Sequence, residues 1–420
     1  MIPRSALILG AGLAGTALAR ALVRRDWQVT LIDDQDPQAG SRQPALAVHP
    51  AHSPDDSPAS GLSRIALALL AADAGTAEPL AGGWMNLPRL QRMPMDQAQR
   101  LAQVWPDGPL QAQPEGLLWR QPCAVEPHAL LGRWQQEAMQ TGRLQIRRFT
   151  VDALHADAQG WLAQSDDQTE RVSASVAVVC AGVRSSDLLR DIVGPHNAAP
   201  STLLAAGGWQ VRQAQSSISQ VPINAPRQVI GLQGEGYQIP LPDGRLLCGP
   251  DGPLRTDSRS LDTADTPDAP DAADAPYAAD APYAAGAGSG GETQEFAGEA
   301  SESSKPLFDP LPVGSRASVR DHLPMVGAVP DLFALEREWP ALLRNDRLPL
   351  PRVEGLWMIS GLGGRGLLWC LPAAEHVAAC LSNTPSVLNE RLARAIDPGR
   401  FLKRSLRAGT PHLTKALGLA

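Results

Sequence analysis

The sequence predicts an α/β fold, α+β overall, in which a βαβ-based unit is joined to a second domain with a mostly antiparallel β-sheet. Three observations carry this expectation. An apolar strand, a glycine turn, a helix, a second strand and an acid follow one another within the first 33 residues. Another strand, Leu356–Ser360, runs into the glycine-rich turn Gly361–Leu367 and a helix over 371–381. Between them, short strand patterns alternate with helical ones.

At the N-terminus, Ala6–Leu9 reads as a buried strand and Gly10-Ala11-Gly12-Leu13-Ala14-Gly15 as the turn that follows it. Gly10 permits a tight turn, Gly12 lets a pyrophosphate approach backbone N–H groups, and Gly15 lets the next helix pack close to the strand. That helix, Thr16–Arg25, offers unpaired N–H donors and a positive dipole end to phosphates. Val29–Ile32 is the second strand, and Asp33 stands 18 residues beyond Gly15, where a carboxylate accepts from ribose hydroxyls and disfavours a 2′-phosphate. The order of these parts is that of a Rossmann-like, dinucleotide-binding unit. A signal peptide is a poorer reading, because three glycines break the apolar stretch and Arg20 and Arg24-Arg25 follow it.

Further along, Leu144–Val151 and Gly160–Ser165 read as short strands, and Ser175–Cys180 as a buried strand ending in Ala181-Gly182. Tyr237–Pro240 and Arg245–Cys248 form a hairpin around Pro242-Asp243-Gly244. The turn at Gly361–Leu367 supplies a second set of helix N-terminal donors. A nicotinamide has no evident need of them. A flavin does, because its N1–O2 edge becomes negative on reduction, which points to FAD.

Composition narrows the class. The apolar fraction of 43% supports an ordinary core, and no apolar run is long enough to span a membrane. Cys123, Cys180, Cys248, Cys370 and Cys380 are scattered, without metal-ligand spacing, as expected of a reducing cytoplasmic compartment. Charge is segregated along the chain. The whole carries −7, but residues 251–305 hold twelve acids against three cations. The segment Thr256–Lys305 is a low-complexity acidic insert, repeating Ala-Asp-Ala-Pro-Tyr-Ala, and has too little apolar area to offset its ordering entropy; disorder is expected there. The tail beyond Glu390 is basic, with Arg391, Arg394, Arg400, Lys403, Arg404, Arg407 and Lys415.

Several runs together resemble a known family. They are Arg316–Gly327, with its Arg320-Asp321-His322-Leu323-Pro324 core, and Val329-Pro330-Asp331 beyond it. The turn Gly361–Leu367, Pro372–Glu375, Asp397–Phe401, His49-Pro50 and Asp55–Ser60 complete the set. On these the chain resembles the D-amino-acid oxidase and glycine oxidase superfamily of flavoproteins. Within it, the nearest likeness is to the FAD-dependent oxidoreductase domain of the bifunctional enzymes that build 5-methylaminomethyl-2-thiouridine in tRNA. Two stretches depart from the pattern: the loop Ala39–Pro44, and Pro250-Asp251 leading into the insert. The methyltransferase half of those enzymes has no counterpart here, so a separate methyltransferase is the expected next actor.

The resemblance implies a discontinuous FAD-binding domain over 1–75, 140–210 and 312–420, and a substrate domain over 76–139 and 211–311 containing the insert. FAD is expected to contact Gly10, Ala11, Gly12, Leu13, Gly15, Asp33, Asp34 and Ser41. It is also expected to contact Val151, Ala181, Gly182, Gly361, Gly363, Gly364, Arg365, Gly366 and Leu367. The implied reaction removes the carboxymethyl group from 5-carboxymethylaminomethyl(-2-thio)uridine at the wobble position, by hydride transfer to flavin and imine hydrolysis. It needs no obligatory side-chain base. Arg316 matches the cation for the substrate carboxylate and Tyr237 a phenol beside it. His49 stands where the loop nears the flavin or is structural, and Arg320 binds substrate or pairs with Asp321. The basic tail, and secondarily Arg143, Arg147 and Arg148, are the expected tRNA contacts. Two other readings stand beside this one: an FAD oxidase of free glycine- or sarcosine-like amino acids, and a flavin-binding scaffold without catalysis.

Overall fold

The structure is a computed structural model that describes residues 4–51, 53, 56–75, 81–105, 108, 110–158, 160–189, 209–214, 216–219, 228–231, 237–249, 308–312, 314–345 and 347–408. The acidic insert lies outside the described residues.

The central sheet has six strands in the order Met325–Pro330, Arg352–Ser360, Val176–Val179, Ser5–Leu9 (β1), Gln28–Asp33 (β2) and Leu144–Arg148. All its pairings are parallel except the one between Met325–Pro330 and Arg352–Ser360. Strand periodicity explains why it is covered on both faces. Ala6 and Ile8 point into one hydrophobic cluster, with the helices Leu13–Val23 (α1) and Gly366–Ser382; Leu7 and Leu9 point into another. The second cluster is closed by the antiparallel meander Ala153–Asp157, Gly160–Gln164, Arg171–Ala174 and by the helix Leu332–Arg344.

The second large sheet has eight strands and is antiparallel apart from one parallel pairing, Val229–Gly231 with Arg89–Arg92. The hairpin of Tyr237–Pro240 and Leu246–Cys248 lies within it. The α/β architecture, with a central mostly parallel sheet and a second large, mostly antiparallel one, is therefore the one read from the sequence.

Helix α1 packs against the far C-terminal helix Gly366–Ser382. Arg25 pairs with Glu375 at 2.7 Å and the Trp27 indole N–H donates to Ser382 Oγ at 3.0 Å. Helix α1 and a helix some 350 residues later are thus held side by side. The C-terminal helix begins five residues earlier than the sequence suggests, at Gly366, and carries Pro372 inside it. Pro372 costs one intrahelical bond, a defect that burial of nearly every side chain in this helix outweighs.

A candidate cofactor and substrate cleft

Both glycine turns open onto one long cleft. Gly10, Gly12, Leu13, Asp33, Asp34, Ser41, Val151, Ala181 and Gly182 line one part of it. Gly361, Gly363, Gly364, Gly366 and Leu367, with Tyr237 and Arg316, line another. Ala11, Gly15 and Arg365 stand behind this lining. His49 and Arg320 also lie off it, His49 half-buried and Arg320 exposed.

The glycines are dictated by crowding. A Cβ on Gly15 would lie 1.8 Å from the Gly10 carbonyl oxygen, and one on Gly10, at φ +105°, would lie 2.6 Å from that of Cys180. Gly12 faces the loop instead, where a Cβ would come within 3.0 Å of Ser41 Oγ. The Ser41 hydroxyl therefore overhangs the turn where phosphates would sit. The Ala11 N–H donates to Asp33 Oδ1 at 3.3 Å and so aims the carboxylate.

The two helices that face the cleft begin without side-chain caps. Ser57, Asp331 and Asn389 each cap a helix with their side chains. Helix α1 starts at Gly12 and the C-terminal helix at Arg365, with no side-chain cap and no acid in the first turn. Their leading N–H groups remain available to anionic groups.

Two arginines at the nucleotide part carry no signal in the sequence beyond their charge. Arg184, in the turn Gly182–Arg184, reaches Asp34 at 2.6 Å and donates to the Val151 carbonyl at 3.1 Å. Arg42 donates to Asp33 at 3.1 Å. Ser360 locks that turn to the C-terminal strand, donating to Ser185 Oγ at 2.9 Å.

Arg316 comes from the strand Gly314–Ser318, whose register is tied to the Ala39–Arg42 loop by the Ser315 N–H on the Gln38 carbonyl at 2.9 Å. Its Nη1 lies 3.3 Å from where a Gly364 Cβ would stand, so the guanidinium fills the space over the second glycine turn. That guanidinium makes no hydrogen bond or ion pair with a side chain among the described residues. A cleft-lining cation in that state is ready for an external carboxylate. Tyr237 lines the same part, its hydroxyl 3.5 Å from Ser216 Oγ.

The Arg320–Leu323 stretch proves to be a structural joint. Asp321 is held by Arg400 at 2.8 Å and Arg404 at 3.1 Å. Burial works to raise its carboxyl, but hydrogen bonding to Arg400 and the two positive charges hold it below the usual range. His322 sits at φ 55° and its N–H closes a turn on the Val319 carbonyl at 2.9 Å. This corrects one expectation about tRNA contacts. Arg400 is buried, and its guanidinium is spent on Asp321 and on the carbonyls of Leu323, Pro324 and Asp397. Arg404 shares Asp321, and Lys403 donates to the Leu348 carbonyl at 2.9 Å. Lys415 is outside the described residues. Arg143 pairs with Asp26 and Arg147 with Glu170, while Arg148 is exposed.

These residues fit FAD: a crowded glycine turn, an aimed acid, a hydroxyl over the turn, and a second uncapped helix end across the cleft. The chain belongs to the FAD dependent oxidoreductase family, whose model matches residues 5–380, and FAD is its cofactor. Among curated proteins it is similar to the tRNA 5-methylaminomethyl-2-thiouridine biosynthesis bifunctional protein MnmC of Ralstonia nicotianae, at 32% identity over 97% of this chain and 61% of that protein. The protein of the same description from Paraburkholderia xenovorans is 28% identical over the same shares. The chain thus spans about three fifths of the length of these relatives.

Among solved structures it is similar to iminodiacetate oxidase from Chelativorans sp. BNC1, with a TM-score of 0.58, 18% identity and coverage of 92% of this chain and 98% of that one. Glycine oxidase from Geobacillus kaustophilus gives 0.57 at 14% identity, covering 94% and 98%. L-proline dehydrogenase from P. horikoshii gives 0.62 at 12%, covering 96% and 98%. At these identities the likeness concerns the fold. Among the described residues, no helix is long and apolar enough to cross a membrane.

Proposed function

We propose that this protein oxidises the CH–NH bond of a carboxymethylamino group carried on a tRNA wobble uridine, leaving the primary amine. The observation that carries the reading is Arg316, a cation lining the cleft over the second glycine turn with no acid paired to it among the described residues. The curated relatives, named for 5-methylaminomethyl-2-thiouridine biosynthesis, support the substrate.

Bound FAD supplies the two-electron acceptor for such an oxidation. The chain's residues do the rest. Gly10, Gly12 and the α1 N-terminus would hold the pyrophosphate and Asp33 the ribose, with Ser41 over the turn. Asp34, Val151, Ala181 and Gly182 complete the nucleotide part, with Arg184 bracing it. Arg316 pairs with the substrate carboxylate and Tyr237 hydrogen-bonds beside it, which fixes the methylene carbon against the second glycine turn. The N-terminus of the helix that starts at Gly366, without a side-chain cap, would stabilise negative charge that builds there. Next in sequence, a separate methyltransferase takes the amine product.

The exposed cation Arg148 is the phosphate contact that this reading retains from the sequence. The FAD-loaded protein, mixed without oxygen with tRNA bearing the carboxymethylaminomethyl base, is expected to lose its yellow absorbance. Free glycine or sarcosine is the second reading, favoured by the names of the similar solved structures and by an Arg316 that would suit either carboxylate. Bleaching by free amino acid and not by tRNA would select it.

A further inference from the structure

The Tyr237 side chain meets a residue two strands away. In the eight-stranded sheet, Leu246–Cys248 lies between Tyr237–Pro240 and Ser217–Ser219. Cys248 stands opposite Gln238 on one side and Ser217 on the other. The next residue, Gly249, therefore falls between Tyr237 and Ser216, and its N–H donates to the Tyr237 carbonyl at 2.7 Å. Residues opposite one another in antiparallel strands share a face. Two strand spacings of about 4.8 Å each separate Tyr237 from Ser216, so a side chain joining them has to cross the position between.

Gly249 leaves that path open. A Cβ on it would fall 2.6 Å from Tyr237 Cε1 and 2.8 Å from Cζ, so the ring lies over bare glycine backbone. Gly249 is not among the glycines with positive φ, so it is the ring and not the backbone conformation that excludes a side chain here. The Tyr237 hydroxyl arrives 3.5 Å from Ser216 Oγ. Ser216 is 3% exposed, and its carbonyl accepts from the Leu311 N–H at 2.8 Å. Among the described residues, neither hydroxyl has another hydrogen-bond partner.

Either hydroxyl can donate to the other, and the ligand decides which does. An ionised carboxylate only accepts, and a phenol has one proton. A Tyr237 that spends its proton on a carboxylate beside Arg316 can meet Ser216 only as an acceptor. We propose that Ser216 is a positioning residue that donates its hydroxyl proton to Tyr237 Oη across Gly249, leaving the phenol proton for the anion held by Arg316. A donor behind the phenol also polarises its O–H and strengthens the bond to the anion. The proposal rests on the carboxylate reading of Arg316 and Tyr237, and is the same whether that carboxylate is carried by tRNA or by a free amino acid.

The test titrates FAD-loaded full-length protein with methoxyacetate, a carboxylate with no N–H to oxidise, and follows the flavin absorbance. Ser216→Ala is expected to raise the methoxyacetate Kd about two- to tenfold and to leave FAD binding unchanged. In Tyr237→Phe protein the same substitution is expected to have no measurable effect, because no phenol proton is left to direct. Gly249→Ala is expected to weaken methoxyacetate at least as much as Tyr237→Phe, with flavin retained. A Ser216→Ala Kd equal to wild type, an equal effect with and without the phenol, or wild-type binding in Gly249→Ala overturns the proposal. Arg316→Ala separates the two levels. If it too leaves the Kd unchanged, the carboxylate reading fails and the role of Ser216 with it. If it weakens binding where Ser216→Ala does not, the role of Ser216 fails alone.

Discussion

At the scale of single residues, the account turns on arginines and what opposes each of them. Arg316 lines the cleft with no acid paired to it among the described residues, and a charge-assisted contact to a carboxylate contributes roughly 1.5–3 kcal/mol. Arg316→Ala is therefore expected to raise KM for the carboxylate substrate roughly tenfold to 150-fold while leaving the FAD dissociation constant within about twofold. Steady-state kinetics and a flavin-binding titration check it; equal losses in both would remove Arg316 from the substrate. Arg184 has the opposite signature. It braces Asp34 and Val151 at the nucleotide part, so Arg184→Ala should weaken FAD binding, by about two- to tenfold for a contact of this kind, with KM little changed. Fluorescence of released FAD measures that directly.

Asp321 belongs to the same scale. Its folded carboxyl is depressed, so its contribution to stability is full above the unfolded carboxylate value of about 3.9 and is lost as pH falls through the lower folded value. Asp321→Asn strands the buried Arg400 guanidinium and should cost about 3–5 kcal/mol at neutral pH. Urea unfolding at pH 7 and pH 3 gives the check, with the gap between wild type and variant narrowing at the acid end.

At the scale of elements, two strand–glycine–helix units face one cleft from opposite ends of the chain. Their helices lack side-chain caps where Ser57, Asp331 and Asn389 cap others. Gly15→Ala should abolish close packing of α1 on β1, because the added Cβ would stand 1.8 Å from a backbone oxygen that cannot move aside. The expected outcome is protein purified without flavin and with a lowered Tm; full flavin occupancy would show that the turn tolerates the clash.

The element scale also shows what was legible in advance. β1, α1 and β2 could be read because periodicity, glycine spacing and the terminal acid agree on one answer. The hairpin at Tyr237 and the second glycine turn were legible for the same reason. The start of the C-terminal helix was not, since Pro372 marks a local break that tertiary burial overrides. Nor were Arg184 and Arg42, which act through contacts 150 and 9 residues away and belong to no motif. The basic tail misled in part: its Arg400 is a buried strut for Asp321, a role that charge counting cannot distinguish from a phosphate contact.

At the scale of the whole molecule, a FAD dependent oxidoreductase fold places Tyr237 of the eight-stranded sheet and both glycine turns around one cleft. The acidic insert lies outside the described residues. Removing residues 256–304 should leave FAD bound and the Tm within a few degrees; loss of flavin would make the insert part of the fold.

The most direct measurement of the central claim is nucleoside mass spectrometry of tRNA bearing the carboxymethylaminomethyl base after one anaerobic turnover with the FAD-loaded protein. The account predicts conversion to the aminomethyl base in step with bleaching of the flavin. An unchanged base, with the same flavin bleached by free glycine, would contradict it.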